Sequence, residues 1–115
     1  MRNAKELARI FKVLSVDTRV RIVQLIKHRS LCVNMLARLL GVTPAAVSQH
    51  LRVLRDARIV TAEKRGYFVH YRVNKTTLAA WNKATRAFME MGKGGPANSS
   101  ARGKLCPRTK RNKGG

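Results

Sequence analysis

Residues Gly41 to Val60, GVTPAAVSQHLRVLRDARIV, constrain this chain more than any other stretch. Gly41 punctuates the end of a short helix. Thr43 is a good N-cap, and Pro44 suits the first helical position, where its missing N–H would be unsatisfied in any case. In the helix that follows, Val47, Leu51 and Leu54 recur at i, i+4 and i+7 and make one apolar face. The opposite face carries Ser48, Gln49, Arg52 and Arg55, short hydrogen-bonding or cationic side chains that suit base edges and phosphates. For Arg52 and Arg55 a plain solvated face is the competing reading. A helix of this kind, set just after another short helix, is the second half of a helix-turn-helix.

The segments before it read as three helices. Over 3–14, Leu7, Ile10, Phe11 and Leu14 form one stripe, with Lys5, Arg9 and Lys12 off it. Ser15 or Asp17 is placed to cap a second helix over 18–28, with Val20, Val23 or Ile22, and Ile26 inward. Residues 33–40 make a short third helix with Val33, Leu36, Leu39 and Leu40 apolar. After the reader helix, over about 44–57, IVTAEKRGYFVHYRVN reads as a β-hairpin. Its strands run 59–64 and 67–73, and Arg65-Gly66 marks the turn. Alternation puts Val69, Tyr71 and Val73 inward and His70 and Arg72 toward solvent or phosphate. A hairpin directly after a helix-turn-helix is a wing, and Lys64 and Arg65 at its tip would reach the DNA backbone or minor groove.

Residues 75–91 predict a last helix, with Asn74 or Thr76 near its start. It carries two stripes: Leu78, Trp81, Thr85 and Phe88, and the smaller Ala80, Ala84, Ala87 and Met91. One stripe covers the domain's own core and the other calls for a twofold-related copy; the alternative is a single wide buried face on a monomer. From 92 to 115 the composition turns to Gly, Ser, Pro and basic residues without periodicity, which predicts a disordered cationic tail. Such a tail adds non-specific phosphate affinity or has no role.

Composition then selects the partner. Lys and Arg number 25 against 5 Asp and Glu, a net charge of +20, so a polyanion is the first partner to consider. No basic amphipathic helix marks a membrane surface, and no segment approaches the ~20 apolar residues of a span. The two cysteines, Cys32 and Cys106, are too few for a disulfide framework, and the start lacks the apolar core of a signal peptide. Both features predict a cytoplasmic protein, nucleoid-associated if the polyanion is DNA. Ser48 and His50 lie on one helix without an acid partner, so we expect no enzyme. His28, His50 and His70 have no metal spacing; His50 is expected at DNA or in packing, His28 as a capping or surface group, and His70 at the surface. Charge alone also fits a structural nucleic-acid protein of ribosome or nucleoid type.

The blocks FKVLSVDTRVRIVQLI, LCVNMLARLLGVTPAAVSQHLRVLRDARIV and KRGYFVHYRV, in this order over roughly residues 7–73, resemble the ArsR/SmtB family of winged-helix repressors. The resemblance implies a mainly α fold with a β-hairpin wing, residues 1–91 forming the DNA-binding and dimerisation domain. It implies a homodimer built from the first and last helices, which places Leu7, Phe11, Trp81, Ala84 and Phe88 in the interface. It implies binding to an inverted-repeat operator, relieved by an inducer. By position the recognition contacts fall on Thr43, Ala45, Ala46, Ser48, Gln49 and His50, and the wing contacts on Lys64, Arg65 and Tyr67.

Departures from the family pattern bear on sensing. Where the family often has Cys-x-Cys at the start of the third helix, this chain has Cys32-Val33-Asn34, one thiolate and a poor soft-metal ligand. The family's Asp and His pairs on the last helix have no counterpart in 75–91, where Glu90 is the sole candidate ligand. Three readings of the thiols stay open. Cys32 is a small buried hydrophobe and Cys106 idle; or both bind a soft metal or metalloid; or they form a disulfide or polysulfide bridge, with Lys104 and Arg108 favouring a thiolate at Cys106. Arg58 stands where the family usually has glycine, so a left-handed cap there would be mildly strained.

Overall fold

The computed structural model describes residues 4–90. In chain order these form α1 (Ala4–Val13), α2 (Asp17–Ile26), β1 (Leu31–Cys32), α3 (Val33–Leu40), α4 (Pro44–Asp56), β2 (Val60–Arg65), β3 (Phe68–Val73) and α5 (Lys75–Met89). The result is the winged helix-turn-helix that the apolar spacing predicts, with one added element. β1 pairs antiparallel with β3, giving a three-stranded sheet in the order β1-β3-β2. A two-residue strand has no detectable alternation, so nothing in the local sequence announces it.

The core forms where the apolar faces of α2, α3 and α4 meet the inner face of the sheet. Ile22, Ile26, Leu36, Val47, Leu51, Leu54 and Ile59 are essentially fully buried. Each such side chain contributes about 1.5–3 kcal/mol of burial. Leu14, Leu31, Tyr71, Leu78 and Trp81 pack against this cluster from its edges. On α3 the inward residues are Leu36, Ala37 and Leu40; Leu39 stands 44% exposed because the helix turns its small Ala37 toward the core instead.

Helix ends follow local chemistry, with one correction. Thr43 Oγ1 accepts from the Ala46 N–H at 3.1 Å, and Pro44 opens α4. Gly41 closes α3 in the left-handed region at φ +70, its N–H donating to the Ala37 carbonyl. Asn74 Oδ1 accepts from the N–H groups of Thr76 and Thr77 and caps α5. At α2, however, the N-cap is Val16 with no side-chain bond, and neither Ser15 nor Asp17 caps the helix. The Ser15 hydroxyl donates backward to the Lys12 carbonyl at 2.8 Å, and Asp17 is already the first helical residue.

The hairpin register also corrects the expected turn. Arg65 pairs with Phe68, so the turn residues are Gly66 and Tyr67, not Arg65 and Gly66. Gly66 lies at φ +62, the first central position that a two-residue hairpin loop reserves for glycine. Thr61, Glu63 and Arg65 share the outer face of the sheet with Arg72, His70 and Phe68; Val60, Ala62 and Lys64 share the other with Val73, Tyr71 and Val69. Because β1 adds Cys32 opposite His70, the histidine is half-buried, not a free surface residue. Its Nδ1 is buried with no hydrogen-bond partner among the described residues.

The chain divides into two units near the end of α5. The winged helix lies in the unit that ends at Thr85. The second begins at Arg86, and its described part closes α5 and holds the Arg86–Glu90 ion pair at 3.5 Å. The expected tail over 92–115, with Cys106, lies outside the described residues.

Candidate nucleic-acid interface

One face of α4 is solvent-facing along its length. Ala45, Ser48, Gln49, Arg52 and Arg55 are exposed, while Val47, Leu51 and Leu54 are sunk in the core. The 3.6-residue period enforces this split: once the three aliphatic residues are buried, the polar set must project away from the body. The surface offered is small at its N-terminal end and cationic at its C-terminal end. That gradient suits base edges followed by phosphates.

Three of the predicted reading positions behave differently. Thr43 is exposed, but its hydroxyl oxygen accepts the capping bond from Ala46. Ala46 is half-buried at the foot of the helix. His50 is also half-buried, and its Nδ1 accepts a hydrogen bond from Arg19 Nε at 3.3 Å. Arg19 donates a second bond through Nη1 to the Val13 carbonyl at 3.1 Å. The arginine therefore ties the reading helix to α2 and to the last residue of α1. Sequence reasoning missed Arg19, because its partners lie 6 and 31 residues away and no spacing rule links them.

The wing supplies a second exposed group. Lys64 and Arg65 end β2 and are exposed; Arg65 shares a long 3.6 Å ion pair with Glu63, a contact worth little in water. Tyr67 is 99% exposed at the turn, and Phe68 beside it is 56% exposed. An aromatic pair flanked by two cations at a hairpin tip has the composition of a groove contact. Phe68 escaped the sequence reading, which placed the strand boundary one residue early. Arg72 is exposed on the outer face, as strand alternation predicts.

Cys32 is half-buried and free. Among the described residues no group of three or more His, Cys, Asp or Glu is placed to hold a metal ion. The donor chemistry agrees: Cys32 has Val33 and Asn34 after it, and Lys75–Met89 contains no His, Asp or Cys. The residues present do not fit either metal site that the resemblance implies. Nor is any described helix long and apolar enough to cross a membrane.

On the dimer side the structure sorts the expected residues. Leu7 is half-buried, Phe11 is 37% exposed and Phe88 57% exposed. Trp81 rests on the protomer's own core. Ala84 is only 3% exposed, buried within the single chain, so the stripe of small residues is not wholly left over for a partner.

Comparison with known proteins gives this geometry its context. Residues 17–62 match the family model of bacterial regulatory proteins of the arsR family. The chain is 36% identical over 91 residues to the HTH-type transcriptional regulator Rv2034 of Mycobacterium tuberculosis, covering 72% of this chain and 85% of that protein. Among solved structures it resembles a possible transcriptional regulator for arsenical resistance, with TM-score 0.65 and 31% identity, covering 84% of this chain and 95% of the other. It shares its fold with the homodimeric winged helix-turn-helix domain of a possible ArsR-family regulator from Mycobacterium bovis, with TM-score 0.62 and 21% identity, covering 77% and 83%. These matches favour a regulator over a packaging or ribosomal protein. The chain belongs to the arsR family of bacterial regulatory proteins, and it is a winged helix-turn-helix DNA-binding regulator of transcription, not an enzyme.

Proposed function

We propose that the chain acts as a homodimeric repressor that places two copies of α4 in successive major grooves of an inverted repeat, about 34–36 Å apart. The observation that carries this reading is the exposed row Ala45, Ser48, Gln49, Arg52 and Arg55 on a helix whose other face is locked into the core. Ser48 and Gln49 read bases. Arg52, Arg55, Lys64 and Arg65 hold phosphates, and Tyr67 enters the flanking groove. Thr43 and His50 serve the reading helix by fixing its start and its seat, and Ala45 and Ala46 keep its approach close.

An inducer releases the operator in this reading. Cys32, across the ladder from His70, makes thiol chemistry the favoured signal: a soft metalloid, an oxidant or a sulfur species, with Cys106 as the second thiol. The apolar side chains on the first and last helices hold the two copies together.

The decisive experiment compares two variants on an operator selected from random duplexes and on unrelated DNA. Gln49→Ala should lower discrimination between the two by about 1–3 kcal/mol, whereas Arg65→Ala should weaken both alike. Equal weakening by Gln49→Ala would remove α4 from the reading role.

A further inference from the structure

The wing carries charge on a second surface, away from the reading helix. Between the α2–β1 corner, the outer face of the sheet and the start of α5 runs an open groove of about 620 Å³. Lys27 and Arg29 enter it from the corner, Arg65 and Arg72 from the sheet, and Lys75 from α5. No carboxylate lines it. Apart from the Arg65–Glu63 contact, none of these five cations forms an ion pair among the described residues.

The convergence is a product of topology. Arg65 and Arg72 lie on one face because Thr61 pairs with Arg72 and the strand period is two. Lys27 and Arg29 are exposed at the corner beyond α2, whose last residue, Ile26, is anchored in the core. Gathering five like charges along one groove is unfavourable without an anion, and a cleft lined by one sign concentrates the field that draws one in. Ser30 and Thr61 add hydroxyl groups between the cations. This is the side-chain set that meets sugar–phosphate backbone.

We infer that this groove takes the DNA backbone flanking the operator, outside the half-site read by α4. The inference rests on the DNA-reading role proposed above. Continuity identifies the occupant: Arg65 belongs both to the wing tip and to the groove. From the tip, β3 runs back six residues, about 20 Å, to Val73 on the groove wall. On this proposal a duplex held by α4 and the wing tip passes alongside that wall. The footprint then extends beyond each half-site without any added base reading.

The test uses the full chain and two duplexes carrying the selected operator. One ends at the outer edges of the half-sites, and the other continues about ten base pairs further on each side, one helical turn. Wild-type protein should bind the longer duplex about tenfold more tightly or better. The double variant Arg29→Gln, Arg72→Gln should keep its melting temperature, its affinity for the short duplex and its sequence preference there. On the long duplex it should lose the length advantage, and its salt slope should fall by about 3–4, two contacts in each of two copies at about 0.9 each. Lys27→Gln with Lys75→Gln should repeat the pattern. A wild type that gains nothing from the flanks overturns the proposal, as does a double variant weakened equally on both duplexes. Release of the short duplex by inorganic pyrophosphate at fixed ionic strength, lost in the double variant, would make the groove a small-anion site instead. Failure of the reading role itself shows separately, as absent sequence preference of the wild type on the short duplex.

Discussion

Arg58 holds φ +67, the sole non-glycine residue with positive φ among those described. It sits just past α4, where its N–H donates to the Arg55 carbonyl at 2.8 Å and the Ile59 N–H donates to the Leu54 carbonyl at 3.1 Å. That pair of bonds is the Schellman closure, which places the residue after the cap in the left-handed region. The strain persists because the next residue, Ile59, is locked into the core at 1% exposure. A left-handed L-residue costs roughly 1–2 kcal/mol, and glycine returns part of that through the freedom of its unfolded chain. Arg58→Gly should therefore stabilise the fold by about 0.5–1 kcal/mol, seen as a rise of several degrees in melting temperature at fixed protein concentration. An unchanged or lower melting point would mean that the arginine makes a compensating contact.

Among elements, α4 matters most, and its position depends on a neighbour. Its apolar face seats it, while Arg19 of α2 bonds His50 on α4 and the Val13 carbonyl that ends α1. A shift of α1 thus reaches the reading helix through one guanidinium. Arg19→Met should leave His50 Nδ1 half-buried without its donor, costing about 1–3 kcal/mol. It should also weaken operator binding more than non-specific binding, because only the reading pose is disturbed. A double-mutant cycle with His50→Ala separates this link from general damage. The double variant should be no worse than the worse single one, with a coupling of about 0.5–3 kcal/mol; simple additivity would mean that the bond carries no coupling.

For the whole molecule, the terminal helices show what the single chain leaves open. Phe88 and Met89 near the end of α5 are 57% and 63% exposed, an arrangement that a partner copy would relieve. Met89→Glu, with Phe88→Glu as a second variant, should shift a dimer toward monomer in sedimentation. Either change should also remove the concentration dependence of the melting temperature. A wild type that sediments as a monomer at tens of micromolar would exclude the proposed twofold assembly.

The reading helix, its cap at Thr43, the glycine stop at Gly41, the buried trio Val47, Leu51 and Leu54 and the hairpin were all legible in the sequence. Each rests on interactions within a few residues, so periodicity and capping rules suffice to place it. The strained Arg58 was expected only through the resemblance, as a side chain standing where the family usually has glycine. What only tertiary structure decided involves partners distant along the chain. It set β1 beside β3, buried Ala84, gave His50 a packing bond from Arg19, and brought Lys27, Arg29, Arg72 and Lys75 to one groove. These contacts join segments tens of residues apart, and no local propensity encodes which of them will meet once the core closes.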